Sequence, residues 1–134
     1  MSEIEDGPSD KSKNDHAALK IVLLVEDHLE TREALSILLR QNGMDVIEAA
    51  DGIEALNAIL MKSPDLILTD LRMPNMDGLE LSKHVKASAE FKHIPIVLIT
   101  ATPLSDRTKH PEIALFLQKP YPAAELVIAI SKFL

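Results

Sequence analysis

The sequence predicts an α/β fold: a doubly wound, five-stranded parallel sheet of order 2-1-3-4-5 with helices on both faces. Three observations predict it. Apolar runs without polar alternation, such as Ile21-Val22-Leu23-Leu24-Val25 and Leu66-Ile67-Leu68, suit strands covered on both sides. Segments with apolar stripes at helical spacing lie between them. Strand and helix alternate five times, and right-handed crossovers then build a parallel sheet between two helical layers.

The elements follow in order. Residues 1–18 are polar and aperiodic and read as a disordered tail, leaving 19–134 as one domain. Ile21–Val25 is the first strand. After Glu26-Asp27, a helix is expected with Thr31, Ala34, Leu35, Leu38 and Leu39 on its inner stripe. Glu30 and Glu33 in its first turn and Arg40 in its last suit the helix dipole, and Asn42-Gly43 stops it. Met44 to Ala49 alternates and reads as an edge strand. Asp51-x-x-Glu54 is a capping box ahead of a helix striped by Leu56, Ile59 and Leu60. Leu66 to Thr69 is the third strand. Asp77-x-x-Glu80 caps the next helix, with Leu81 and Val85 inward. Pro95 introduces the strand Ile96–Ile99. Pro103 and Pro111 bracket a segment with room for only a short fourth helix. Ala114–Gln118 is the fifth strand. Pro122–Leu134 is the last helix, with proline at its first turn. Its inner stripe should be Leu126, Ile130 and Phe133 or Leu134. Val127 and Ile128 extend the apolar surface beyond that stripe, which suits a partner or a second copy.

Composition narrows the function. Apolar residues make up 46% of the 134 and charged residues 26%, a globular profile. A net charge of −7 disfavours nucleic acid and anionic membrane, which need a basic patch. The absence of cysteine removes disulfides, thiolate zinc sites and a cysteine nucleophile. No apolar stretch approaches the roughly 20 residues that span a bilayer, and the N-terminus lacks a signal-peptide core. The expectation is a cytoplasmic protein with no membrane contact. The five histidines, His16, His28, His84, His93 and His110, have no metal-ligand spacing.

Ligands of an open parallel sheet bind beyond the strand ends, where strand order reverses. Strand 1 ends in Glu26-Asp27 and strand 3 in Asp70, so three carboxylates should converge there. Left alone they would repel, and a hard cation such as Mg²⁺ suits an all-oxygen site. Glu26-Asp27 also stands where a helix cap would. Strand 4 ends in Thr100, followed by Ala101, which leaves room for an entering group. Strand 5 leads to Lys119-Pro120. Carboxylates, a hydroxyl, a lysine and a metal together suggest phosphoryl transfer to a carboxylate, with Lys119 and the metal neutralising charge.

At this point the chain resembles the receiver domains of two-component response regulators, which have the flavodoxin-like form of this fold. The stretches LLVEDHLETREAL (23–35), DGIEAL (51–56), PDLILTDLRMPNMDGLEL (64–81), IPIVLITA (94–101) and FLQKPY (116–121) carry the resemblance in register. It implies that Asp70 is the phosphoacceptor. It implies that Glu26, Asp27, Asp70 and the backbone carbonyl of Arg72 hold Mg²⁺. Thr100, Ala101 and Lys119 would receive the phosphoryl group, Thr100 and Phe116 would act as the switch pair, and the Lys119–Pro120 bond would be cis. The implied partners are a histidine kinase or histidine phosphotransfer protein upstream. Downstream stands a protein partner or a homodimer, through the face of the fourth helix, fifth strand and fifth helix. The module would not be an enzyme beyond its own phosphorylation and autodephosphorylation. Pro74 and Asp77-Gly78 read as a turn and cap that position the loop after Asp70. The chain departs from the family between Thr100 and Lys119, where the segment is shorter and lacks a glycine before strand 5.

Three other readings are weighed. A flavin-binding electron carrier of this topology would want a Ser/Thr- or Gly-rich phosphate loop after strand 1, where Glu26-Asp27 would instead repel the phosphate. A receiver-like scaffold would bind partners without being phosphorylated. An aspartyl-nucleophile phosphatase would want a second acid two residues after the nucleophile, where this chain has Arg72, and a cap domain over its substrate.

Overall fold

The computed structural model describes residues 19–102 and 109–134. Its elements are β1 (Ile21–Val25), α1 (Leu29–Gln41), β2 (Asp45–Ala49), α2 (Gly52–Met61), β3 (Leu66–Asp70), α3 (Gly78–Ala87), β4 (Ile96–Thr100), β5 (Leu115–Gln118) and α4 (Ala123–Ser131). All neighbouring strands pair in parallel, in the order β2-β1-β3-β4-β5. The polar tail at 1–18 lies outside the described residues, as do residues 103–108 in the stretch expected to carry the short fourth helix. No helix among the described residues is long and apolar enough to cross a membrane.

The unbroken apolar runs are explained by burial on both faces. Along β1, Val22 and Leu24 enter one cluster while Leu23 and Val25 enter the other. Leu39 of α1 with Leu126 and Ile130 of α4 close the first face. Ala55 and Ile59 of α2 with Leu81 and Val85 of α3 close the second. The edge strand β2 exposes Asp45 and Glu48 and buries Val46 and Ala49.

Several details differ from the sequence reading. Ser36 and Leu39 are the buried positions of α1, and Ala34 is exposed. In α2 the inner residues are Gly52, Ala55 and Ile59, while Leu60 is 73% exposed. One residue turns a helix by about 100°, so Leu60 lies off the face that Ala55 and Ile59 bury. The α1 cap is His28, whose ring accepts from the Thr31 N–H at 3.3 Å, and not the acidic pair before it. The first capping box is partial. Asp51 accepts from the Glu54 N–H at 2.8 Å, but the Glu54 side chain accepts from the Ala50 N–H. The second box is complete. The last helix ends at Ser131, and Pro122 is its cap rather than its first residue. Beyond it Leu134 packs on the α1/α4 cluster while Phe133 stays exposed.

Candidate functional site

The β1–α1 turn begins where the strand ends. The Glu26 N–H still donates to the Ala49 carbonyl of β2, at 3.0 Å. The Glu26 carboxylate then turns back to accept the His28 N–H, also at 3.0 Å. Glu26 is 4% exposed, whereas Asp27 is exposed. Burial pushes the Glu26 carboxyl above the usual carboxylate range. Asp70 adds to that rise, and the His28 N–H and Lys119 oppose it.

Asp70 closes β3 and is half-buried. One ligand oxygen each from Glu26, Asp27 and Asp70 can lie within 4.8 Å of the others. Opposite them, Lys119 brings its Nζ to 3.2 Å from Asp70 Oδ1. The Lys119–Pro120 peptide is cis. The Lys119 N–H donates to the Thr100 carbonyl at 2.9 Å, which fixes where the lysine leaves the sheet.

The loop after Asp70 is held at several points. Leu71 N–H donates to the Ile99 carbonyl at 2.9 Å, and Gly78 N–H to the Leu71 carbonyl at 2.8 Å. Asn75 adopts φ 68°, in the left-handed region, and its amide donates to Asp51 at 2.8 Å. Asp77 caps α3 as the sequence suggested. Gly78 is required by a close approach, because a Cβ there would strike the Asp70 carbonyl oxygen and Leu98.

Asp70, Arg72, Thr100, Ala101 and Lys119 all line one cavity of about 110 Å³. Thr100 is 4% exposed, and its hydroxyl is engaged with its own loop. It donates to the Thr102 carbonyl at 2.9 Å and accepts from the Thr102 N–H at 3.0 Å. Phe116 lies apart from this cavity. It packs on the α2/α3 cluster, with its ring centroid 6.4 Å from that of His110.

Two residues near the site were not singled out from the sequence. Tyr121 follows the cis proline, and burial, Glu26 and Asp70 all push its hydroxyl above the usual tyrosine range. Its place directly after Lys119-Pro120 was the available signal. Arg32 donates to the Glu26 carbonyl at 2.8 Å, and no sequence pattern marks that bond.

The donor set fits a hard divalent cation. Three carboxylates converge with oxygen atoms only, and one lysine does not balance three negative charges.

A sequence model of the response regulator receiver domain matches residues 22–131. The polar-differentiation response regulator DivK of Brucella ovis is 30% identical over 118 residues, covering 86% of this chain and 96% of that protein. The chemotaxis protein CheY4 of Vibrio cholerae superposes with a TM-score of 0.81 at 30% identity, over 87% of this chain and 100% of that one. The receiver domain of the sensor histidine kinase PA1611 from Pseudomonas aeruginosa was solved with a magnesium ion coordinated in its active site cleft. It superposes with a TM-score of 0.77 at 29% identity, over 87% of this chain and 98% of that one. In fold, strand-end residues and matched length, this chain belongs to the response regulator receiver domains of two-component signalling.

Proposed function

We propose that the chain is the phosphoacceptor of a two-component phosphorelay, with Asp70 as the accepting residue. The observation that carries this is the placement of Lys119 Nζ 3.2 Å from Asp70 Oδ1, opposite the Glu26-Asp27 pair. An Asp70 carboxylate oxygen attacks phosphorus in a phosphohistidine of the donor protein. The P–N bond breaks, the P–O bond forms, and the imidazole leaves with the electron pair. Glu26, Asp27, Asp70 and the Arg72 carbonyl would hold Mg²⁺, which supplies charge neutralisation when bound. Lys119 exchanges part of its pairing with Asp70 for a phosphoryl oxygen. Ala101 presents only a methyl group at the cavity wall, which leaves room for the incoming group.

The new group adds about −1.5 to −2 of charge. Thr100 meets it by giving up its bonds to Thr102, and this exchange is the local event of the switch. Phe116 sits on the neighbouring strand: Leu98 of β4 pairs with it, and Thr100 pairs with Gln118. A change at Thr100 therefore has a short route to the ring. Phe116 also lines a groove with Leu115, Ile128 and Phe133 between β5 and α4. Ile128 is 61% exposed there, so this face carries the output, to a downstream protein or a second copy. Water later hydrolyses the acyl phosphate.

The test is intact mass after incubation with Mg²⁺ and either acetyl phosphate or a phosphorylated histidine phosphotransfer protein. The expected result is one added phosphoryl group, lost in Asp70→Asn and in EDTA. No addition from either donor overturns the proposal and leaves a scaffold that is not phosphorylated.

A further inference from the structure

We propose that Arg32 is a positioning residue for the acidic pair, locking the peptide that joins Glu26 to Asp27, and that Glu48 holds Arg32 in place. This rests on the metal site proposed above.

The turn between β1 and α1 must present two carboxylates toward Asp70 from adjacent residues. Adjacent side chains of an extended chain point apart, so both reach one side only where the backbone turns between them and is held there. The sheet fixes the preceding peptide, through the Glu26 N–H and the Ala49 carbonyl. The Glu26 carbonyl, which belongs to the peptide leading to Asp27, lies past the last pairings of β1 with β2 and β3, both at Val25. Arg32 Nη1 donates to that oxygen at 2.8 Å.

The guanidinium is itself anchored. Its Nε donates to Glu48 Oε1 at 3.2 Å, and its side chain is 17% exposed. Glu48 belongs to the edge strand β2, so one planar group ties α1, β2 and the β1 terminus together. Arg40 lies 3.9 Å from the other Glu48 oxygen and helps to orient that carboxylate. Two donors leaving one rigid plane in different directions are a property of arginine. Lysine carries one compact charge and lacks the separate Nε and Nη1 donors that meet Glu48 and the Glu26 carbonyl here.

The contribution is position rather than charge. Arg32 bonds the backbone carbonyl of Glu26 and not its carboxylate. The positive charge of Arg32 is spent on Glu48. Residues that orient metal ligands through a second bond typically alter affinity about 10–100-fold when removed.

The experiment measures the Mg²⁺ dissociation constant of the full chain by calorimetry. Tyrosine fluorescence gives a second readout, since Tyr121 is the only tyrosine and there is no tryptophan. Wild type, Arg32→Lys and Glu48→Ala are compared at a temperature where circular dichroism shows all three folded. Arg32→Lys should weaken Mg²⁺ about 10-fold. Glu48→Ala should weaken it in the same direction, and the double variant should be no weaker than Arg32→Lys alone. A lowered melting temperature with the wild-type dissociation constant overturns the proposal, because that is what a purely structural ion pair would give. If Arg32→Lys does not fold, Glu48→Ala decides by the same criterion. Wild-type protein that binds no Mg²⁺ overturns the metal site itself, an outcome distinct from unchanged binding in the variants.

Discussion

Glu26→Gln isolates the electrostatic cost of gathering three carboxylates at one end of the sheet. The exchange keeps the shape of a side chain that is 4% exposed and keeps an acceptor for the His28 N–H. The ligand oxygens lie within 4.8 Å of one another, and two unit charges at that limit repel by about 3.5 kcal/mol at an effective dielectric near 20. Lys119 offsets part of this, so about 1–2 kcal/mol should remain as destabilisation of the metal-free protein. Burial, then Asp70, hold the Glu26 carboxyl above its ordinary value of 4.5. Between 4.5 and the raised folded value, the folded chain thus keeps a proton that the unfolded chain releases. The stability from this group is complete below 4.5 and is lost as pH rises through the raised folded value. Urea unfolding in EDTA, followed by circular dichroism near pH 4 and near pH 8, tests this. The variant should gain about 1–2 kcal/mol over wild type between the two pH values. Saturating Mg²⁺ should reverse the order at the higher pH. Ligand at 100 times its dissociation constant stabilises wild type by about 2.7 kcal/mol, and the variant should lose most of that. A stability difference that is the same at both pH values would refute the reasoning.

Two further outcomes follow from packing around the site. Gly78→Ala pushes a methyl group into the Asp70 carbonyl and Leu98, and should cost about 1–3 kcal/mol in urea unfolding while slowing the proposed phosphorylation of Asp70. An unchanged phosphorylation rate would show that the loop yields without moving Asp70. Lys86 donates its Nζ to the Lys92 carbonyl at 2.8 Å and the Ile94 carbonyl at 2.6 Å, pinning the segment that feeds β4. Lys86→Met keeps the stem and removes both bonds, of which the one to the Ile94 carbonyl is half-buried. It should cost about 1–2 kcal/mol with no change in Mg²⁺ affinity, and a shifted affinity would contradict a purely structural role.

The fold was legible in the sequence because its main signal is covering of the sheet on both faces. That leaves uninterrupted apolar runs at β1 and β3, and it leaves helical stripes and a complete capping box at Asp77 and Glu80. The convergence of Glu26, Asp27, Asp70, Thr100 and Lys119 was legible for a related reason. In a parallel sheet all carboxyl ends lie at one edge, so chain order alone brings strand-end residues together. Tertiary structure decided what depends on direction and on distant partners. Helix rotation, set by packing against the sheet, buried Ala55 and exposed Leu60. Local bonding made His28 the cap of α1 and tied the Thr100 hydroxyl to Thr102. The Arg32 clamp joins residues 16 apart across a helix and an edge strand, and the approach of Gly78 to Asp70 depends on how one loop folds back. Such contacts leave no period or spacing in the chain, because they arise only once the sheet has assembled.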